Sequence, residues 1–143
     1  MPLSFNNSDA RYCVKQRACN LTPECSIVPN TLSLALQPCD QKRIIINAED
    51  TMNFPVVFIN EAFANSVGIN KLEAEKKTLM QIIGITKGHM KKNGLQDVLD
   101  NACNCRAGSC LIGDIRGNDF MYLKALPLSN DSNKITHILL VCF

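Results

Sequence analysis

Residues 43–84 run RIIINAEDTMNFPVVFINEAFANSVGINKLEAEKKTLMQIIG, and two short apolar bursts alternate with two helical phrases inside them. Ile44-Ile45-Ile46 is a β-branched run, the composition that suits a pleated and buried surface. A polar gap and Phe54-Pro55 follow, then a second run, Val56-Val57-Phe58-Ile59, so strands are predicted at 43–47 and 55–60. Asn60-Glu61 opens a helical phrase that turns Phe63 inward. Gly68 is its natural stop, because a helix commonly ends on a residue with positive φ. Asn70 is placed to cap the next turn, with Glu73 at the third helical position as a capping box. Farther on, Leu79, Ile82 and Ile83 fall on one helical face.

Working outward, Leu95, Val98, Leu99 and Ala102 recur at i, i+3, i+4 and i+7, which predicts a longer amphipathic helix from Asn93. Gly108 ends the connection. The remainder alternates as strands: 109–116, a turn at Gly117-Asn118, 119–128, a Ser/Asn/Asp loop at 129–133, then 134–143. Upstream, Asn30 or Thr31 can cap a short helix through Leu32, Leu34, Ala35 and Leu36, which Pro38 stops. Residues 1–30, with Pro2, Pro23 and Pro29 and no clear period, are expected to be a leader, flexible or packed on the sheet. The domain proper is then 31–143. Two strands, several helices and a three-strand meander predict an α+β fold: a five-stranded antiparallel sheet with short helices on one face.

The chain has 143 residues, enough for one domain, and at 46% hydrophobic and 20% charged it can bury a core. Net charge is +2 with no long basic run, aromatics are 6%, and tryptophan is absent, so nucleic-acid binding by this domain is not expected. No apolar stretch approaches the ~20 residues needed to span a bilayer. The first residues, MPLSFNNSDARYCVK, lack the apolar centre of a secretory signal. The expectation is an intracellular, cytoplasmic protein, nuclear if it belongs to a transcription regulator. The eight cysteines then read mainly as free thiols. Cys13, Cys19 and Cys25 recur every six residues with Cys39 beyond, and Cys103-x-Cys105 is tight, so neither matches metal-ligand spacing. A thiol-based redox sensor built on the Cys13–Cys39 leader stays open as an alternative.

Catalysis is not expected. The chain has no Gly-rich phosphate loop, no H-E-x-x-H, no nucleophile elbow and no His–Cys constellation. Asp97 and Asp100 read as helix-surface acids, Glu73 and Glu75 beside Lys76 and Lys77 as a solvated face, and Asp114 as a strand-surface acid. The last strand is more informative. Ile135, His137, Leu139 and Val141 alternate with Thr136, Ile138, Leu140 and Cys142, apolar on both sides. One side must face the core, and His137, opposite Ile138, belongs to the other and reads as a surface residue. That second face needs cover, either from Leu32, Leu34 and Leu36 folding back or from a partner.

The phrase from Pro55 to Phe63, followed by Val67-Gly68, is similar to the strand–Asn–x–Ala–Phe–helix–Gly signature of PAS sensor domains. Thr78, Leu79 and Ile82 resemble that family's next phrase, with Lys76 where a glycine is common. The closing strands, Phe120–Leu123 and Lys134–Ile138, resemble its final meander. The likeness covers roughly 31–143. It implies a sensory or interaction module with a small pocket between sheet and helices, lined by Phe58, Phe63, Leu79, Ile83, Leu99, Leu111, Tyr122 and Ile138. A flavin photoadduct needs a cysteine where Leu79 stands (Thr78 if the alignment slips by one), so the residues argue against LOV photochemistry. Haem is the cofactor left open, with His89 as candidate axial ligand. A small metabolite, or no ligand at all, is equally compatible with the family. The resemblance also implies pairing, with a second copy or another signalling domain, through the outer sheet face and the leader.

Overall fold

The structure, a computed structural model, describes residues 28–113 and 120–143. Its elements in chain order are α1 (Leu32–Ala35), β1 (Lys42–Asn47), β2 (Val56–Ile59), α2 (Glu61–Val67), α3 (Lys71–Ala74) and α4 (Leu79–Ile83). They continue with α5 (Lys87–Lys92), α6 (Leu95–Cys103), β3 (Gly108–Gly113), β4 (Phe120–Ser129) and β5 (Ile135–Cys142). The five strands form one antiparallel sheet in the order β2-β1-β5-β4-β3, so the last strand lies at its centre. This is the predicted α+β architecture. The central place of β5 explains why both its faces are apolar, since it is buried from either side.

Each short helix is set by its ends. Asn60 caps α2 by accepting from the Phe63 amide, and Gly68 closes it at φ 70°. Asn70 accepts from the Leu72 and Glu73 amides, while the reciprocal capping box is made one helix later by Thr78 and Gln81. Gly84, at φ 73°, ends α4. One segment departs from expectation. The longer helix is expected from Asn93, yet ahead of it Thr86 caps a further helix, α5, and Gly94 at φ 86° separates the two. The apolar signal there is a single buried residue, Met90, too little for periodicity to detect.

The β1–β2 connection is pinned by the Asp50 carboxylate, which accepts from the Met52 and Asn53 amides. Phe54 follows at φ 46° with its ring buried, a left-handed backbone that a bulky side chain adopts only under constraint. Its carbonyl accepts from the Leu79 amide at 3.0 Å, and the Val56 amide donates to Lys77 at 2.9 Å. These bonds tie the entry of β2 to the start of α4. Strand β3 is described only to Gly113, so Asp114 and the expected turn at Gly117-Asn118 lie outside the described residues.

Two apolar layers flank the sheet. The larger lies between sheet and helices, where Phe63, Leu79, Ile82, Ile83, Leu95, Leu99, Ile138 and Leu140 are all fully buried. The smaller lies on the outer face, where Ala35 joins Ile45, Leu126, Leu128, Leu139 and Val141.

Candidate functional site

Strand alternation and register sort the expected pocket residues into two groups. Phe63, Leu79, Ile83, Leu99 and Ile138 meet in the inner core. Phe58, Leu111 and Tyr122 do not, and this corrects their assignment to a pocket. Phe58 pairs with Ile45 and packs with the outer layer, while Leu111 pairs with Tyr122 and the two are 55% and 42% exposed. The reason is the period of two: a one-residue error in aligning a strand transfers every side chain to the other face. The inward residues are their chain neighbours Ile59, Ile112, Met121 and Leu123.

On the outer face the register builds rows across the strands. Phe58, Ile45, Leu139 and Leu126 form one row from β2 to β4. Leu32 and Ala35 of α1 pack on this layer, and Lys71 Nζ stands 5.2 Å from the centre of the Phe58 ring. Of the alternative in which Leu32, Leu34 and Leu36 fold back over the sheet, the structure bears out Leu32 and not Leu34 or Leu36. Both remain exposed, because in a helix this short Leu32 and Ala35 share the face toward the sheet. The neighbouring position on β1 is Arg43, in register with Val141 and only 2% exposed. Its Nη1 donates to the Ala35 carbonyl at 3.2 Å, while Nε and Nη2 donate to Gln41 Oε1 at 3.2 and 2.9 Å. Sequence reasoning missed Arg43. The available signal was its odd-numbered place on the Ile45 side of an otherwise apolar run.

At the other end of the sheet, Leu111 pairs with Tyr122, and the Phe143 amide donates to the Tyr122 carbonyl at 2.9 Å. The Tyr122 and Phe143 rings are 6.0 Å apart, and Phe143 is 65% exposed. Tyr122 Oη donates to Ser109 Oγ at 2.7 Å. Leu111, Tyr122 and Phe143 thus present an apolar strip to solvent, and the row that carries Lys124 and Val141 lies between it and the layer under α1.

His137 sits in register with Leu128 and Asn47 and is half-buried rather than a surface residue. Its Nδ1 lies 2.9 Å from Thr136 Oγ1, and burial pushes its pKa down, opposed in part by the charge of Glu49. Glu49 pairs with Lys134 at 3.1 Å. His89 lies on α5, partly buried, with its backbone amide donating to Thr86 Oγ1 at 3.1 Å. It is therefore a helical residue beside Met90. Burial raises the thiol pKa of Cys103, Cys110 and Cys142. Cys105 is exposed and Cys39 half-buried, while Cys13, Cys19 and Cys25 lie outside the described residues. Among the described residues no group of three or more His, Cys, Asp or Glu is placed to hold a metal ion, and no helix is long and apolar enough to cross a membrane.

The chain matches no family model and no curated protein. Solved structures do match. The PAS domain of the fruit-fly ELK potassium channel superposes with a TM-score of 0.55 at 13% identity, covering 73% of this chain and 85% of that one. The chain has a PAS fold. A sensory box histidine kinase from Vibrio cholerae shares it, with a TM-score of 0.54 and 14% identity over 72% of this chain and 79% of its own. An RNA-binding light-oxygen-voltage receptor reaches 0.60 at 15% identity, covering 78% of this chain but 32% of the receptor. The chain thus spans about a third of that receptor's length. Within the PAS fold, Leu79 is fully buried in the helical layer, and Asn60 caps α2 where β2 passes into the helix.

Proposed function

We propose that this chain is a sensory or protein-interaction module of the PAS type, acting through conformational change or association rather than covalent catalysis. The observation that carries the reading is the division of the outer sheet face. One half is packed under α1, and the other presents Leu111, Tyr122 and Phe143 to solvent. An exposed apolar strip on the same sheet face as a buried layer supports a surface that a partner completes. The partner is a second copy of the chain or another signalling domain. The fully buried inner residues, Phe63, Leu79, Ile83, Leu99 and Ile138, support the reading of a core that transmits packing changes to the sheet. The non-LOV reading rests on Leu79 at the adduct position, since a leucine has no thiol to bond a flavin.

Sedimentation of the purified chain beside its Tyr122→Arg variant tests the reading. Association that Tyr122→Arg abolishes while leaving the fold intact supports it with a second copy as the partner, and identical behaviour of both forms at every concentration overturns the second-copy arm. An absorbance spectrum and native mass spectrum of the same sample address the other reading. A haem band, or a bound small-molecule mass, makes the protein a chemosensor, with His89 as the first residue to replace.

A further inference from the structure

Among the described residues Arg43 is the charged side chain that the fold buries, and what it touches is neutral. Its hydrogen bonds go to the amide oxygen of Gln41 and the carbonyl of Ala35, and no carboxylate among the described residues reaches it. A guanidinium keeps its charge, and hydrogen bonds to neutral oxygens return only part of what burial takes from it. An opposite charge in the same place forms the stronger, charge-assisted pair. The helix lying over Arg43 supplies none: the segment from Pro29 to Cys39, PNTLSLALQPC, contains no acidic residue. Nor is α1 built to hold itself. Its four residues fall far short of a self-sustaining helix, and it is kept by the Thr31 cap, the Arg43–Ala35 bond and the Ser129 amide donating to Asn30 at 2.9 Å.

We propose that the outer-face layer beneath α1 is a docking site for a helical segment of a partner that carries a carboxylate, with α1 as its displaceable occupant. The partner's apolar side chains replace Leu32 and Ala35 over Ile45, Leu139 and Leu126, and its carboxylate takes the guanidinium of Arg43. Charge complementarity is what selects this partner. The resident segment satisfies the apolar layer yet leaves the buried cation without a counter-charge among the described residues, so a competitor that brings both has the advantage. Gln41 is the determinant on the domain's own side. A glutamate at that position would set a carboxylate oxygen where the amide oxygen already accepts two guanidinium N–H groups, and would remove the demand for an external one.

This inference rests on reading the outer face as a partner surface, and the test separates the two. The probes are synthetic helical peptides of about 15 residues, with leucine at i, i+3, i+4 and i+7 and either Glu or Gln in the last turn. Their binding to the full chain is followed by fluorescence anisotropy, and release of α1 by hydrogen exchange of the Ala35 and Leu36 amides. The expected result is roughly tenfold tighter binding of the Glu peptide, equivalent to ~1.4 kcal/mol, together with faster exchange at Ala35 and Leu36. That preference should collapse in Gln41→Glu, which keeps the side-chain shape, and in Arg43→Met. Equal binding of both peptides overturns the carboxylate preference while leaving an apolar partner surface standing. Absence of binding by either peptide overturns the site itself, as does binding with α1 still protected.

Discussion

Arg43 and Asn60 hold each other at the start of β1: the Arg43 amide donates to Asn60 Oδ1 at 3.0 Å, and the Asn60 amide donates to the Arg43 carbonyl at 3.0 Å. The same Oδ1 accepts from the Phe63 amide at 3.0 Å, and Nδ2 donates to the Gln41 carbonyl. One side chain therefore joins β1, the exit of β2 and the first turn of α2. Removing it with Asn60→Ala orphans the Arg43 and Phe63 amides together. The expected cost is about 2–3 kcal/mol, combining a lost N-cap with an unmet backbone donor. Asn60→Asp keeps the acceptor and should lose less than the alanine. Urea midpoints of the three proteins check this, and equal losses for Ala and Asp would mean that the Oδ1 bonds carry little.

Gly68 isolates a backbone effect. At φ 70° a Cβ placed there would meet no atom within 4 Å, so a substitution strains the chain without any clash. Gly68→Ala should destabilise by ~1 kcal/mol and Gly68→Asn by less, because asparagine tolerates the left-handed region. Thermal melts of both variants test the order. A Gly68→Ala protein as stable as the parent would show that α2 ends in another way.

Burial lowers the pKa of His137 from its ordinary 6.5, with Glu49 opposing part of the shift. The sign follows directly. Below the ordinary value the unfolded chain takes up a proton that the folded chain resists, so this contribution to stability is complete above about pH 6.5 and is lost as pH falls toward the depressed folded value. His137→Gln should flatten the fall in stability as the pH drops through and below about 6.5. Denaturant titrations of both proteins across that window decide the matter, since parallel curves would contradict the assignment.

Thiol reactivity should follow burial. Burial holds the thiols of Cys103, Cys110 and Cys142 above their ordinary 9.0, which reduces the thiolate that an alkylating agent attacks. Cys105, exposed beyond the end of α6, should be modified before all three. Iodoacetamide labelling near about pH 8, mapped by mass spectrometry, gives the order. Cys142 labelling as fast as Cys105 would mean that β5 opens at its end.

A core truncation completes the set. Leu99, on the inward face of α6, is fully buried, and Leu99→Ala should cost about 2–5 kcal/mol through lost burial and the cavity left behind. A cost under about 1 kcal/mol, read from the urea midpoint, would indicate that the surrounding helices close on the space.

Much of this architecture is legible in the chain without any coordinates. Local rules suffice for Gly68, Asn60, Asn70, Thr31 and the Leu95–Leu99–Ala102 stripe, because caps and helical periods depend only on neighbours a few residues away. The apolar character of both faces of β5 likewise foretold a strand covered on two sides. The α5 helix escaped notice because one buried methionine makes no period. Phe58, Leu111 and Tyr122 were misplaced because a strand's facing depends on register, which is set by partners far along the chain.

The sequence by itself determined the order of the strands, the helices other than α5, most of their caps and the demand for cover on the outer sheet face, since each follows from short-range backbone preference and alternation. Only the tertiary structure decided which residues answer that demand. Pairing of β1 with both β2 and β5 sets Ile45, Leu139 and Leu126 in one row with Phe58, seats α1 on that layer through Leu32 and Ala35, and buries Arg43 beside Gln41. The burial of a cation is a property of the surfaces that close over it, and no local pattern around residue 43 encodes those surfaces.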